Sequence, residues 1–505
     1  MAFKKKRKKI FLGTISVMMI IMVVTILSST VLFKVGFQAE KTALVNGSLI
    51  VSFTSVKNFL SSDGLKYLFE NIILNFQMFK PLLILVVSLI TFGMFESSGL
   101  LQFTFNPWRR LTSKTVTLLV VLLSFISSIF GEYSFAIMLP FVGILYNYLG
   151  KNPLLGILTS FLGITLGYGS GLLINNEQLF LGVLTQAAAT MEVDKNYLFN
   201  GFASSVIMTA SMIVFVPVLT LLIENQLAVY FDKPIFVNNE KNESKKGFVY
   251  SLITFVIMLL IFIYMIIPGL PKSGVLLDMT QSSYYDMLFS SVAPFSSGLP
   301  LILLILIGVP SYVYGKISGN LETSLGITDS LAVGLKDCGY LFLIAFFGSI
   351  MIGIFEWTGI GEVFVCKIIE VLSKFSISGV LLIGIFFILV ILMTILVPSA
   401  LTKWSLMSPV VVPLFMRANI TPDFTQFIFQ VADGIGKSLS IFFPYFLLML
   451  GLLHKYNFDD IKVSAGSVIK RMMPIILVMA ALWIVFLVMW YLAGFPVGIS
   501  EYATL

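Results

Sequence analysis

Residues 397–409 read VPSALTKWSLMSP and interrupt an otherwise apolar part of the chain. The tip, 398–404, is polar, whereas the flanking pieces, about 378–397 and 405–416, are apolar. Irregular backbone at membrane depth is tolerated only where protein or a water-filled cavity covers it. A polar tip between two apolar arms therefore predicts a re-entrant hairpin at about 378–416, which enters the membrane and returns to the same side.

A second window of equal length repeats this arrangement. Residues 128–140 read SIFGEYSFAIMLP, again with a polar tip before an apolar run that ends in proline. This window predicts a first hairpin at about 115–149, and a glycine-broken helix follows each hairpin at nearly the same distance. The predicted spans open the two hairpins to opposite sides of the membrane. Such an inverted-topology repeat is typical of secondary transporters, whose binding sites lie near the midplane among broken helices.

The composition excludes a water-soluble fold. Of the 505 residues, 58% are hydrophobic and 11% are charged, against roughly 25% charged residues in soluble domains. Apolar runs recur along nearly the whole length, so residues 1–505 form a single membrane domain whose surroundings are the lipid bilayer. The net charge of +7 comes from basic residues in short loops. These residues are topology signals and do not indicate a nucleic-acid partner.

The apolar runs predict an all-α polytopic membrane protein with about nine transmembrane helices and the two re-entrant hairpins. The polar stretch 225–247 is a linker between an N-terminal half, 1–224, and a C-terminal half, 248–505. Two stretches, 318–337 and 360–376, interleave apolar and polar positions as interfacial helices do. The predicted spans lie at about 10–33, 78–95, 153–173, 197–223, 248–267, 298–314, 339–355, 424–450 and 473–494.

Basic residues set the predicted orientation. The run 4–9 contains only lysine and arginine, and the apolar run after it is too long for a signal-peptide core. The positive-inside rule places this run in the cytoplasm. The polar segment 34–71 then lies outside, the loop 225–246 lies in the cytoplasm and the C-terminus lies outside. The expected location is the cytoplasmic membrane.

Five ionisable residues stand inside apolar segments: Glu132, Glu177, Lys403, Asp433 and Lys437. Each charge in a membrane segment costs ~2.5 to 3.5 kcal/mol on translocon scales, so each needs a partner or water and marks a functional site. A carboxylate that faces a cavity can load and release a proton as access alternates. Glu132, Glu177 and Asp433 are therefore candidates for ion or proton coupling.

Four polar residues share one face of the eighth span. Gln430, Asp433, Lys437 and Ser440 have the spacing i, i+3, i+7 and i+10, which a helix places in one stripe. In one interpretation, Asp433 and Lys437 neutralise each other and only hold helices together. In the other, the stripe binds substrate, and the positive sum of Lys403, Lys437 and Asp433 favours an anionic ligand.

Glycines mark two candidate helix breaks. Gly434 and Gly436 would let the eighth span unwind and expose its backbone to a ligand. The run 167–171, GYGSG, is a break beside Asn175 and Glu177, or else a small-residue packing surface. No strand precedes this run, which excludes a dinucleotide-binding loop. The candidate substrate-binding residues are Ser399, Lys403, Trp404, Gln430, Asp433, Lys437, Gly169 and Asn175.

Other residues narrow the function classes. Trp404 either anchors the hairpin at the membrane interface or lines a binding site at the tip. Cys338, Cys366 and the single histidine, His454, offer no metal or redox ligand set, so we expect no catalytic residue, metal or cofactor beyond a coupling proton or sodium ion. We assign His454 to a loop, which leaves an intramembrane hydrolase without a Ser/His pair. A channel would need a continuous polar pore, whereas the polar residues cluster at two tips and two breaks.

Several segments together resemble the p-aminobenzoyl-glutamate transporter (AbgT) family, in order and spacing, from about residue 78 to 457. They are 95–100 (FESSGL), 398–416 (PSALTKWSLMSPVVVPLFM) and 431–446 (VADGIGKSLSIFFPYF). The resemblance implies a homodimer of nine-span, two-hairpin protomers with a bowl that faces the cytoplasm. It also implies carriage of p-aminobenzoyl-glutamate, or proton-driven export of sulfonamide-type antimetabolites.

The family pattern also shows departures. Lys403, Trp404 and Asp433 stand as the resemblance implies. The family's aspartates in the first hairpin and broken helix are Glu132 and Glu177 here, its serine in the second hairpin is Leu401, its arginine is Gln430 and its asparagine is Lys437. We therefore expect a secondary transporter of a small aromatic or anionic substrate. The alternative is a sodium-coupled dicarboxylate-type carrier of similar architecture.

Overall fold

The structure is a computed structural model, and it describes residues 12–45, 48–172, 174–192, 194–231, 241–290, 292–373, 379–458, 461–499 and 501–505. Helices dominate these residues. The basic run 4–9 and residues 232–240 of the predicted linker lie outside the described residues. The prediction of an all-α polytopic membrane protein is confirmed, with two short antiparallel strand pairs as the only sheets within the described chain.

The N-terminal segment contains one feature that the sequence did not predict. A hairpin of two antiparallel strands, with Gln38 opposite Ser55, forms within the polar segment 34–71. The helix of the predicted second span, Lys80–Ser97, follows a separate helix, Ser62–Gln77, whose first turn the Ser61 side chain caps. The two together make one candidate membrane span, Ser62–Ser97. The elements here are α1 (Thr14–Lys34), β1 (Gln38–Val45), β2 (Ser48–Ser55), α2 (Ser62–Gln77), α3 (Lys80–Ser97) and α4 (Leu100–Phe105).

The first predicted hairpin and the broken helix after it are both present. The hairpin turns at Gly131, whose positive φ of 56° suits glycine. The predicted third span stops at Leu166, and the described residues 167–172 and 174–175 are not helical, since Gly169 has a φ of 89° that a residue with a side chain rarely adopts. The elements are α5 (Ser113–Ile126), α6 (Tyr133–Tyr148), α7 (Pro153–Leu166), α8 (Asn176–Glu192) and α9 (Ser205–Leu222).

The described residues in the middle of the chain form six helices. The predicted interfacial stretches contain the helices α13 (Ser324–Leu335) and α15 (Ile360–Leu372), although residues 374–378 lie outside the described part. The α13 helix packs closely on α3, because a Cβ at Gly334 would overlap the Leu89 carbonyl group. The elements are α10 (Lys245–Ile266), α11 (Tyr284–Phe289), α12 (Pro294–Ser318), α13 (Ser324–Leu335), α14 (Gly339–Thr358) and α15 (Ile360–Leu372).

The second hairpin and its broken helix complete the chain. The Ser399 side chain accepts a hydrogen bond from the Thr402 backbone N–H, which starts the second arm of the hairpin at the tip. The elements are α16 (Gly379–Leu396), α17 (Ala400–Arg417), α18 (Pro422–Lys437), α19 (Pro444–Lys455), α20 (Ala465–Ala493), β3 (Pro496–Gly498) and β4 (Glu501–Tyr502).

Gly434 and Gly436 do not break the eighth span, contrary to the sequence-based expectation. The helix α18 continues to Lys437, and the break follows at residues 438–443. Both glycines serve close packing instead. A Cβ at Gly434 would overlap Tyr168 and the end of α7, and a Cβ at Gly436 would overlap Thr394 of α16.

The two halves pack against each other in equivalent pairs. The second arm of the first hairpin, α6, packs on α19, the second part of the C-terminal broken helix. The second arm of the second hairpin, α17, packs on α8, the second part of the N-terminal broken helix. This reciprocal packing is the arrangement that the predicted internal repeat implies.

Nine described helices are long and apolar enough to cross a membrane, which agrees with the predicted number. Their identities differ from the prediction. The first arms of the two hairpins, Ser113–Phe130 and Gly379–Leu396, are among them. The two broken spans are not, because the break divides each into helices of fewer than 18 residues.

Candidate functional site

The two hairpin tips and the C-terminal helix break face one cavity of about 720 Å³. Glu132 lies on its wall at the first tip, Ser399 at the second tip, and Glu177 at the start of α8. Much of the remaining wall is aromatic. These aromatic residues are Phe130, Tyr133, Phe180, Phe289, Phe355, Phe442, Phe443 and Tyr445.

Five charged side chains, two on this wall and three behind it, form one cluster. Asp433 is shared between two lysines, since its Oδ1 lies 2.6 Å from Lys403 Nζ and its Oδ2 lies 3.1 Å from Lys437 Nζ. Lys437 Nζ also lies 2.8 Å from Glu132 Oε1 and 3.5 Å from Glu177 Oε1. The cluster joins the first hairpin, the first helix break, the second hairpin and α18.

Burial divides the cluster into an inner and an outer part. The side chains of Lys403, Asp433 and Lys437 are fully buried, whereas those of Glu132 and Glu177 are 35% and 20% exposed. Buried charges are tolerated only when they are paired and hydrogen-bonded. The inner part is therefore structurally constrained, and the two glutamates are the members that the cavity can reach.

Further contacts stabilise the buried lysines and carboxylates. Lys403 Nζ donates to the Val397 carbonyl oxygen at 2.6 Å, and the Thr394 hydroxyl donates to Asp433 Oδ1 at 3.1 Å. The Tyr168 hydroxyl donates to Glu177 Oε2. The ring of Tyr168 lies 4.5 Å from Lys437 Nζ, in cation–π contact.

The charge of the complete cluster differs from the sequence-based sum. Lys403, Lys437 and Asp433 alone give +1, but Lys437 also contacts Glu132 and Glu177. With all five groups ionised, two positive and three negative charges give −1. The expectation that local charge favours an anion therefore holds only when the two glutamates are neutral.

A continuous hydrogen-bond network connects the second hairpin to the first helix break. Trp404 Nε1 donates to Thr185 Oγ1 at 2.9 Å, and that hydroxyl donates to Gln426 Oε1 at 2.6 Å. Gln426 Nε2 donates to the Gln178 carbonyl oxygen at 2.9 Å, and Gln178 Nε2 donates to Gln430 Oε1 at 3.0 Å. These five side chains are buried, so each donor and acceptor depends on its neighbour.

The network continues to the first hairpin. The Gln178 side chain accepts from the Asn175 backbone N–H at 2.8 Å. Asn175 Nδ2 donates to the Ser128 carbonyl oxygen at 3.0 Å, next to the first tip. Hydrogen bonds thus run from one hairpin to the other through the helix break.

The structure separates the candidate substrate-binding residues into two groups. Ser399 lines the cavity, whereas Trp404 is fully buried and packs on Phe429 with ring centroids 4.5 Å apart. Trp404 is therefore neither an interfacial anchor nor part of the cavity wall. Gln430 and Asn175 belong to the buried network, and Gly169 packs against Val431 of α18.

Ser440 lies beyond the end of α18, where its hydroxyl donates to the Ile395 carbonyl oxygen at 2.8 Å.

Three members of the buried network, Thr185, Gln178 and Gln426, were not predicted from the sequence, because the prediction followed charged residues. Uncharged polar side chains in apolar spans are themselves a signal, because they need hydrogen-bond partners in the membrane. His454 also differs from its expected place in a loop. It lies in the last turn of α19, with its ring 3.9 Å from that of Tyr340.

Two hairpins, two broken helices and a buried charge cluster beside a cavity define a polytopic membrane transporter. The chain belongs to the AbgT putative transporter family, whose model matches residues 12–505. The resemblance seen in the sequence is confirmed, and the family is one of transporters, not enzymes.

Relatives cover nearly the whole chain. The p-aminobenzoyl-glutamate transport protein of Escherichia coli (strain K12) is 24% identical over 494 residues, which are 96% of this chain and 93% of that protein. The solved YdaH transporter of Alcanivorax borkumensis is 23% identical, with coverage of 96% and 99% and a TM-score of 0.49. MtrF of Neisseria gonorrhoeae, from a class of antimetabolite efflux pumps, is 22% identical, with 98% coverage of both chains and a TM-score of 0.49.

Proposed function

We propose that the protein is a proton-coupled secondary transporter of p-aminobenzoyl-glutamate or a related aromatic anion. The substrate class follows from the name of the E. coli relative. The aromatic wall of the cavity supports it, because aromatic side chains bind a benzoyl ring by stacking and edge-to-face contacts. Sulfonamide-type antimetabolites have the same aminophenyl ring but no carboxylate, so the coupling mechanism below applies to the aromatic anion and not to their export.

One contact carries the coupling mechanism: Lys437 Nζ lies 2.8 Å from Glu132 Oε1, on a side chain that the cavity reaches. While Glu132 and Glu177 are ionised, they neutralise Lys437 and the cluster has a charge of −1. Protonation of both glutamates changes this charge to +1. Lys437 is fully buried, so a substrate carboxylate reaches it by displacing the neutral glutamates, and it then forms a charge-assisted hydrogen bond with Lys437 Nζ.

Protons and an anionic substrate therefore bind together. Linkage requires reciprocity, so bound anion also favours bound protons. A carrier that alternates its access only when protons and substrate are both bound, or both absent, moves protons and substrate in the same direction. An inward proton gradient would then drive uptake.

Orientation and assembly complete the proposal. We infer a location in the cell membrane with the N-terminus in the cytoplasm, since basic residues favour the inner side. We also infer a homodimer, as the family resemblance implies. Chemical cross-linking in membranes, followed by mass measurement of the purified product, tests the assembly.

A sodium-coupled carrier of dicarboxylates is the second candidate. The same observation favours it, because one sodium ion neutralises a cluster charge of −1 as one proton does. Under this mechanism the glutamate oxygens would hold the ion. The two candidates differ in the gradient that drives transport.

The test uses the purified full chain in proteoliposomes with radiolabelled p-aminobenzoyl-glutamate. A pH gradient and a sodium gradient are imposed separately, and each is then collapsed with a specific ionophore. We expect saturable transport that follows the pH gradient and does not respond to sodium. Transport driven only by sodium would favour the second candidate, and the absence of saturable flux in all conditions would contradict both.

A further inference from the structure

Glu356 is a cavity carboxylate to which the proposed mechanism gives no role. It lies in the last turn of α14, it is exposed, and it lines the same cavity as Glu132 and Glu177. Within the described part of the chain, its carboxylate forms no hydrogen bond or ion pair. Glu362, on the same wall, differs because its Oε1 lies 2.8 Å from Lys41 Nζ of the strand β1.

Aromatic rings connect Glu356 to the charge cluster. Phe355, the residue before Glu356, stacks on Phe442 with ring centroids 4.2 Å apart. The next residue, Phe443, has its ring 5.6 Å from Lys437 Nζ. This aromatic series thus begins at Phe355, the sequence neighbour of the unpaired Glu356, and ends at Phe443 beside Lys437.

We infer that Glu356 binds the amino group of an arylamine substrate. This inference rests on the proposed function and names the chemical class that the cavity selects. The substrate carboxylates would lie toward Lys437 and the ring on Phe442 and Phe443. The para-amino group would then donate a hydrogen bond to the Glu356 carboxylate, which accepts such bonds without a competing protein donor.

The same carboxylate sets the orientation of the substrate. A carboxylate of the ligand placed beside Glu356 would meet a like charge, which is unfavourable. The polarity of the cavity therefore admits an aromatic anion in one direction only. A ligand that lacks the amino group would keep its contacts with Lys437 and the rings but leave Glu356 unpaired.

The test compares uptake of p-aminobenzoyl-glutamate with uptake of benzoyl-glutamate, which lacks the amino group. In the wild-type protein we expect KM to be about tenfold lower for the amine, the effect of one hydrogen bond to a charged group. Glu356→Leu should raise KM for the amine about tenfold and leave KM for benzoyl-glutamate unchanged. The matched control, Glu362→Gln, changes a cavity carboxylate that is already paired and should preserve the preference.

Each outcome has a distinct meaning. Glu356→Gln keeps the size of the side chain and an acceptor oxygen, so its preference for p-aminobenzoyl-glutamate over benzoyl-glutamate should be intermediate. This variant replaces Glu356→Leu in the test if the leucine variant does not fold. Equal KM values for both ligands in the wild type, or an unchanged preference in Glu356→Leu, would overturn the inference while leaving the proposed function intact. If the wild type transports neither ligand, the proposed function itself fails.

Discussion

Lys403 Nζ lies 2.6 Å from Asp433 Oδ1, and both side chains are fully buried. The two residues are on different elements, the second hairpin and α18, so this contact fixes the tip of the hairpin to the helix. The i,i+4 pair that the sequence predicts, Asp433 with Lys437, is also present at 3.1 Å. Asp433 therefore balances two lysines, and its loss affects both.

The first prediction separates these two pairs. Asp433→Asn leaves Lys403 as an uncompensated buried charge, which costs about 3 to 5 kcal/mol. Adding Lys403→Met should restore most of that stability, because Lys437 keeps Glu132 and Glu177 as partners. Adding Lys437→Gln instead should not restore it, because Lys403 remains unpaired. Thermal unfolding of the purified variants measures this difference, and equal recovery in both double variants would contradict the observed pairing.

A second prediction concerns the cavity-facing glutamates. Glu132→Gln and Glu177→Gln should abolish transport driven by a pH gradient, since each removes a group that binds and releases a proton. Substrate exchange without a gradient should persist, because Lys437 remains available. Glu362→Gln is the control, as its carboxylate pairs with Lys41 outside the cluster. Normal gradient-driven uptake in both cluster variants would exclude them as coupling residues.

The buried network between the hairpins gives a third prediction. Thr185→Val keeps the shape of the side chain but leaves Trp404 Nε1 and Gln426 Oε1 without this partner, at a cost of about 1 to 3 kcal/mol for each unsatisfied group. We expect a lower melting temperature and reduced maximal uptake. In the control, Thr425→Val, the lost hydroxyl bonds only to the Thr421 carbonyl oxygen of its own helix. Equal effects of the two variants would show that the cross-helix network is unimportant.

The fourth prediction tests close helix packing. Gly434→Ala and Gly436→Ala should each reduce the amount of folded protein, because the new methyl groups overlap Tyr168 and Thr394. Gly384→Ala in α16 is the matched control, since nothing lies within 4 Å of its Cβ position. That variant should be neutral or slightly stabilising, as alanine favours helix over glycine. Detergent-solubilised size-exclusion profiles compare the three; normal profiles for the first two would contradict the packing.

Membrane orientation gives the fifth prediction. Asn242→Cys lies in the predicted cytoplasmic loop and is exposed, so a membrane-impermeant thiol reagent should label it only after the cells are opened. Ser52→Cys on the strand β2 should be labelled in intact cells. The native cysteines, Cys338 and Cys366, are buried and should contribute little background. Labelling of Asn242→Cys in intact cells would reverse the assigned orientation.

Local sequence patterns predicted most of the architecture. Apolar length identifies a membrane helix without reference to the rest of the fold, because transfer into hydrocarbon is close to a sum over residues. The polar tips at 398–404 and near Glu132 predicted both hairpins, because a polar interruption of an apolar run is also visible in the local sequence. The strand pair after α1 was missed, since cross-strand pairing depends on neighbours and not on local hydropathy.

The sequence by itself determined that this protein is a helical membrane transporter with two hairpins, and that Glu132, Glu177, Lys403, Asp433 and Lys437 need partners. Only the tertiary structure decided which charges meet. The contact between Lys437 and Glu132 joins residues about 300 positions apart, and helix packing places their atoms 2.8 Å from each other. The structure also decided that Gly434 and Gly436 serve packing, because a glycine permits both unwinding and close approach, and only the neighbouring helices distinguish the two.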